Sequence, residues 1–243
     1  MQIITIGGGS MIEGASAAID KEVVSFSGKK FPNALFIPTA SSDDLTYRNN
    51  FKIVYGQRLK CKTDELLLLQ KNITKKAIAQ KINWADIIYV GGGNTLKLMK
   101  RWRFLGVDEM LLKAANDNKV LTGSSAGALC WASYGHSDSM AYYHPQNWDY
   151  IKVKCLGMIP VLLCPHYLKE NRDKSFKAMV NKTGGFGIAL DDCSAMQIKN
   201  NKVRFIQSNE KAFAFHVKKQ DQKIVETKLP INEWFNFEAL KSM

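Results

Sequence analysis

The sequence predicts an α/β fold with a mostly parallel sheet, helices on both of its faces and antiparallel hairpins at the C-terminal end. Three observations lead there. Short apolar runs alternate with longer stretches of helical periodicity up to about residue 120. Alternation of that kind argues parallel strands joined by crossover helices and buried on both sides. Several of the runs stop abruptly at Gly, Ser, His or Asp. From Ala195 the period drops to two, in AMQIKNNKVRFIQSNEKAFAFHVKK, with a turn at Asn200-Asn201, which is a hairpin pattern.

The elements follow in order. QIITIGG is the first strand, and it has no basic region ahead of its apolar run, so it does not read as a signal peptide. NALFIPTAS, DIIYVGGGNT and KVLTGSS follow, each apolar before a small-residue stop. Residues 44–55, 74–82 and 96–118 lie between them and repeat apolar positions at helical spacing. Further on, VLLCPH and FGIALDD are apolar runs that end in polar residues.

Nothing divides the chain. It has 243 residues without a Pro- or Gly/Ser-rich linker, a low-complexity stretch or an internal repeat, so a single domain over 1–243 is expected. It is 46% apolar and 23% charged, an ordinary balance for a chain with a buried core. No apolar run approaches the ~18 residues that span a membrane. The five cysteines (61, 130, 155, 164 and 193) are odd in number and form no C-x-x-C. Neither a disulfide framework nor a zinc site is indicated, and a reducing cytoplasm is the expected setting. The formal charge of +12 comes mostly from single lysines spread along the chain. Without dense Arg/Lys interleaved with aromatics, this reads as a solvated basic surface rather than a nucleic-acid interface, and it can attract acidic substrates.

The strand-end residues carry the chemistry. In an open α/β sheet the carboxyl ends of parallel strands share one edge, where ligands bind. Gly91 to Asn94, Ser125, His166 and Asp191-Asp192 all follow apolar runs, so these distant segments are expected to converge. Gly123-Ser124-Ser125-Ala126-Gly127 fits G-x-S-x-G, in which a sharp strand-to-helix turn projects the central hydroxyl. Ser124 occupies the x position and would point elsewhere. The residues alone leave two readings for Ser125, a nucleophile or the N-cap of an ordinary turn. A serine nucleophile needs a base. Of the four histidines, His166 is placed at the strand-end edge, His136 and His144 fall in the polar stretch after the turn, and His216 lies in the late hairpins as a satisfied structural residue. A third member is needed to orient the imidazole. Asp191, Asp192 and Asp138 are the candidates. The glycines of YVGGGNT expose N–H groups that suit an oxyanion or a phosphate, although no G-K-[ST] follows. IGGGS at residues 6–10 is a second such turn.

These pieces together resemble the serine peptidase family of aspartyl dipeptidase (dipeptidase E) and cyanophycinase. IPTAS at 37–41, VGGGNTLKL at 90–98, GSSAGA at 123–128, CPHY at 164–167 and GIALDD at 187–192 carry the likeness, in the same order. The resemblance implies a fold related to the class I glutamine amidotransferases and a Ser-His-acid triad. It implies Ser125 as nucleophile, His166 as general base and acid, and the N–H groups of Gly93 and Ala126 as the oxyanion hole. The family's acid is usually Glu; Asp192 stands at the matching position, one methylene shorter, which keeps Asp191 and Asp138 as alternates. Arg172 follows the histidine as an arginine does in the aspartyl dipeptidases, where it holds the substrate's acidic side chain. Gly92 and Asn94 are expected beside the substrate. The expected substrate is a small peptide, aspartyl dipeptides first, with no metal or organic cofactor, no nucleic-acid partner and no membrane partner; a homodimer stays open. An esterase or amidase, or a binding protein on the same scaffold, are the rival readings.

Overall fold

Period two along β1 (Gln2–Ile6) decides where the first sheet lies. Ile3 enters one core while Ile4 and Ile6 enter another, so both faces of the strand are buried. The computed structural model describes residues 1–169 and 171–243. Its eight-stranded first sheet runs β14 (Phe235–Asn236), β11 (Lys202–Gln207), β10 (Ser194–Lys199), β1, β5 (Val120–Ser124), β4 (Ile87–Val90), β2 (Asn33–Ile37) and β3 (Lys62–Glu65). A six-stranded second sheet runs β13 (Lys223–Lys228), β12 (Ala214–Gln220), β9 (Phe186–Leu190), β8 (Ile159–Cys164), β6 (Ala132–Ser137) and β7 (Ile151–Lys154).

This corrects the expectation of one mostly parallel sheet. Among the described residues the two sheets contain six parallel and six antiparallel ladders. The parallel part is confined to β1, β5, β4, β2 and β3 in the first sheet and to β6, β8 and β9 in the second. Strand–helix alternation in the sequence reports the crossovers but not which sheet a strand joins. The hairpin expected at Asn200-Asn201 is present as β10–β11.

Helices cover the first sheet. α1 (Ala17–Phe26) and α2 (Leu45–Phe51), which runs on into π-helical turns over Lys52–Arg58, pack on the face that carries Ile4, Phe36 and Tyr89. α3 (Lys75–Trp84), α4 (Thr95–Leu105) and α5 (Val107–Ala114) pack on the opposite face. α3 starts where Thr74 Oγ1 accepts the Ala77 N–H at 3.1 Å. Residues 96–118, one stretch by periodicity, form two helices because Gly106 adopts φ 72° and ends α4. β3 has no strand pattern in the sequence because its residues, KTDE, are polar; it is an edge strand, where polarity suppresses unwanted pairing.

The same large core reaches both sheets. Ile3, Ile88 and Leu121 of the first meet Leu163 and Ile188 of the second, with Trp102 and Trp131 tilted against each other at 6.1 Å between ring centres. The outer face of the second sheet, Leu162 and Cys164 on β8, packs beneath Phe176 and Val180 of α7 (Arg172–Thr183). The chain crosses from the first sheet to the second at α6 (Ala126–Leu129), a single turn of helix between β5 and β6.

That crossing is tight. A Cβ on Gly127 would overlap the Val90 carbonyl oxygen, and one on Gly123 would overlap both that oxygen and the Gly127 carbonyl. Only glycine lets β4, β5 and α6 approach this closely. Gly127→Ala is expected to cost about 1–3 kcal/mol of unfolding free energy, the usual range for overpacking a buried site. Denaturant titration checks this; an unchanged midpoint would mean that α6 moves aside freely.

Candidate active site

The exit of β1 anchors three loops. The Ile6 carbonyl accepts the Ser125 N–H at 3.1 Å, the Gly7 carbonyl accepts the His166 N–H at 3.1 Å, and the Gly8 carbonyl accepts the Cys193 N–H at 2.9 Å. Ser125 comes from the first sheet, His166 leaves β8 of the second, and Asp192 lies on the link from β9 in the second back to β10 in the first. The expected convergence therefore occurs at the seam between two sheets, not along one sheet edge. Gly8 sits directly against the pair formed by His166 and Asp192, where a Cβ would overlap both the ring and the carboxylate. From the sequence this is only a glycine-rich turn, because nothing in IGGGS says what will pack on it.

Ser125 is held at φ 56°, ψ −116°, between β5 and α6. His166 and Cys193 also have positive φ, at 52° and 63°. Such conformations are strained for residues with a side chain and persist only where the surroundings impose them. Ser124, in contrast, is 8% exposed and turns its hydroxyl to the buried Tyr89. Burial pushes the Tyr89 phenol well above its ordinary pKa, so it stays protonated. Ser125 is partly exposed, and among the described residues its hydroxyl makes no hydrogen bond, to His166 or to any other group.

His166 and Asp192 are joined. Nδ1 of His166 lies 2.5 Å from Oδ1 of Asp192, and Lys169 Nζ pairs with the other carboxylate oxygen. Partial burial opposes ionisation of Asp192, but the hydrogen bonds and charges of His166 and Lys169 outweigh it and hold the carboxyl at about 2. An ionised carboxylate can only accept, so Nδ1 carries the proton. In the neutral ring Nε2 is then the nitrogen with a lone pair.

The alternates for the acid are engaged elsewhere. Asp191 accepts the N–H of Leu168 at 3.1 Å and of Phe213 at 3.3 Å, and so pins the histidine loop to the segment before β12. Burial raises its pKa despite those bonds. Asp138 pairs with Arg172 at 2.5 Å. Arg172, the first residue of α7, is 3% exposed and also lies under the Tyr150 ring at 4.9 Å. Its carboxylate-binding group thus already faces a carboxylate.

The glycine-rich loop closes the arrangement. A Cβ on Gly92 would stand 3.2 Å from the Ser125 Cβ, which puts the loop beside the serine. The Gly92 N–H donates to the Tyr47 hydroxyl at 3.3 Å. Asn94 is 3% exposed and caps α4, its Oδ1 accepting the Lys97 N–H at 3.0 Å; that oxygen is committed to the helix. Among the described residues no hydrogen bond engages the N–H of Gly93 or of Ala126. Tyr47 and Lys169 carry no motif, and only packing reveals them.

The remaining histidines are structural. His136 belongs to β6, not to a polar loop, and is fully buried, 3.0 Å from Ser175 Oγ and stacked on Tyr150. Burial, with the charge of Arg172 adding to it, depresses its pKa to about 3. His216 is buried and stacked on Phe186, and its Nε2 finds no hydrogen-bond partner among the described residues, so its polar satisfaction is incomplete. His144 is exposed. The described residues contain no cluster of three or more His, Cys, Asp or Glu that could hold a metal ion, and no helix long and apolar enough to cross a membrane.

A serine held at φ 56° between the end of a parallel strand and a short helix, in a mixed α/β scaffold, is a setting in which a hydroxyl can be presented to a ligand. Comparison with known proteins gives the family. The model of peptidase family S51 matches residues 3–206, and the chain belongs to that family of serine peptidases. An uncharacterized peptidase of Bacillus subtilis, YgaJ, is 32% identical over 234 residues, which cover 95% of this chain and 97% of that protein. Peptidase E of Streptomyces coelicolor is 29% identical over 98 residues, 40% of this chain and 38% of its own. The crystal structure of a peptidase from an acI-B1 actinobacterium superposes with a TM-score of 0.73 at 18% identity and covers 97% of this chain and 96% of its own, a likeness of fold.

The carboxylate pair has a consequence for acid stability. Asp192 titrates at about 2 when folded, against an ordinary 3.8. A depressed carboxyl contributes stability that is complete above the ordinary value and is lost as pH falls through the folded one. Stability is therefore expected to drop between about pH 3.8 and pH 2, with about 2 kcal/mol from this group. Asp192→Asn should remove that component. Urea midpoints measured down the acid range decide it: a variant with the parent's slope would mean that His166 and Lys169 do not hold Asp192 in solution.

Proposed function

We propose that the protein hydrolyses small peptides, aspartyl dipeptides first among them, through a Ser125–His166–Asp192 triad and an acyl-enzyme. One observation carries the reading. A histidine bound through Nδ1 to an ionised carboxylate is tied to the same strand exit as a serine at φ 56°. This is the arrangement of a base prepared to take a hydroxyl proton.

In the proposed reaction Ser125 Oγ attacks the scissile carbonyl as His166 Nε2 takes its proton. Asp192 stays ionised, fixes the tautomer and stabilises the imidazolium. The N–H groups of Gly93 and Ala126 receive the oxyanion, with the Ser125 turn acting as a nucleophile elbow. His166 then protonates the leaving amine, and water, deprotonated by the same nitrogen, releases the acyl group. Ser125 and His166 are not hydrogen-bonded in the free protein; such contacts commonly tighten only when substrate excludes water.

The aspartyl preference would act through Arg172. Asp138 is 28% exposed at its side chain, so a substrate carboxylate can replace it at the guanidinium while Asp138 returns to water. The exchange keeps the buried cation paired, which matters because an unpaired buried charge is costly.

Labelling with a fluorophosphonate, read by intact mass and peptide mapping, tests the nucleophile. Modification at Ser125 is expected, and Ser125→Ala should lose at least about 1,000-fold in kcat while keeping its fold. Full activity in Ser125→Ala would sink the reading. A separate comparison tests the side-chain preference. Asp138→Asn weakens one internal competitor and is expected to lower KM for an Asp-X dipeptide relative to Asn-X, together with some loss of thermal stability. An unchanged KM ratio would remove Arg172 from substrate recognition.

A further inference from the structure

A cavity of about 660 Å3 opens beside the glycine-rich loop. Ala40 and Asn94 line it, and the Ala40 carbonyl accepts the Asn94 N–H at 3.0 Å. Asn94 follows Gly93 directly, so the cavity begins one residue from the proposed oxyanion donor. Lys97, Lys100 and Arg101 line it, and among the described residues no Asp or Glu does. Two of them donate to neutral groups. Lys97 Nζ donates to Ser42 Oγ at 2.6 Å, and Arg101 Nε donates to the Leu68 carbonyl at 2.6 Å, both neutral acceptors. Lys100 is exposed. Asp43 is near enough to offset part of the charge of Lys97 and Arg101, and its Oδ2 also accepts the Leu69 N–H at 3.1 Å, but one carboxylate stands against three cations. The walls are aromatic and in water: Phe104 is 77% exposed, Tyr142 58% and Tyr143 53%. Such exposed rings beside net positive charge mark a surface shaped to be covered.

The sign of the charge reverses across Tyr142. That residue also lines a second cavity, of about 470 Å3, which carries Asp138 and Asp149. Asp138 lies between Ser137 and Ser139. Ser137 Oγ donates to Thr95 Oγ1 at 3.0 Å and Ser139 Oγ accepts the Leu96 N–H at 3.1 Å, so the Asp138–Arg172 pair is tied to the far end of the same loop. The acyl side of the substrate is assigned to that pair. The leaving side then falls toward the cationic cavity.

We infer that the Lys97–Lys100–Arg101 cavity binds a carboxylate on the leaving portion of the peptide substrate, with Phe104, Tyr142 and Tyr143 covering the side chain beside it. The inference rests on the peptidase reading and deepens it. For a dipeptide the carboxylate is the C-terminus; for a longer peptide it is an acidic side chain. A charge-assisted contact of this kind is stronger than a neutral one and weakens with salt.

Calorimetric binding to the Ser125→Ala protein tests it without any need for turnover. The probes are Asp-Leu, Asp-Leu amide and Asp-Glu amide. Asp-Leu amide is expected to bind about tenfold or more weaker than Asp-Leu. That penalty should shrink to about twofold when Lys97→Met and Lys100→Met are added, and by about threefold for Lys100→Gln alone, an exposed change that leaves the fold intact. Recovery of affinity by Asp-Glu amide would assign the site to acidic side chains as well; no recovery would restrict it to the C-terminus. Equal affinity for acid and amide, the same penalty in the lysine variants, or no binding of any probe would overturn the inference. Fluorophosphonate labelling of Ser125 in the parent separates the two levels. Labelling with no acid–amide difference leaves the peptidase and removes the carboxylate site. A clear difference without labelling keeps the site and removes the nucleophile.

Discussion

The carbonyls of Ile6, Gly7 and Gly8 accept N–H groups from Ser125, His166 and Cys193, and the geometry of the site depends on that row. β1 is fixed on both sides, in parallel with β5 and antiparallel with β10, over all five of its residues. A slip of one residue would exchange the faces of Ile3 and Ile4 between two cores and would move every anchor by one position. The strand therefore transmits the rigidity of the first sheet to loops that start in the second. It also explains how three residues with side chains are kept at positive φ. Each has its own N–H tied to β1, so relaxing the backbone would break a buried hydrogen bond.

The electrostatics are local rather than global. The net charge is +12, yet the groups that matter are paired or separated by design of the packing. Asp192 lies between His166 and Lys169, which keeps it ionised and fixes the imidazole tautomer. Asp138 neutralises Arg172 in a nearly closed site. Lys97 and Arg101 instead donate to neutral oxygens, with Asp43 the carboxylate near them. Behind the serine, buried Tyr89 faces the hydroxyl of Ser124, and Tyr47 holds the Gly92 N–H. The glycine-rich loop is thus supported from the core, while its far side is left to solvent.

Much of the first sheet was legible as pattern. β1, β2, β4 and β5 are apolar runs with abrupt ends, and the β10–β11 hairpin is a clean alternation around Asn200-Asn201. Those features are local, since period and turn chemistry act over a few residues. The charged edge strand β3 was not legible, because an edge needs no apolar pattern. The break at Gly106 was hidden in an uninterrupted helical period. His136 looked like a loop residue because GHSDSM is polar, yet tertiary burial places it on β6 between Tyr150 and Phe176.

The sequence by itself determined the strand–helix alternation, the glycines that allow a sharp turn at Ser125, and the residue types at the strand ends. These follow from backbone sterics and side-chain chemistry, which are properties of a few neighbouring residues. Only the tertiary structure decided that there are two sheets and that the candidate residues meet at their seam. It alone selected Asp192 over Asp191 and Asp138 as the partner of His166, and placed Gly8 beneath that pair. Adjacent aspartates have the same chemistry. Which one reaches the imidazole depends on how β9 hands the chain to β10 across the seam, a direction set by contacts between residues far apart in the chain.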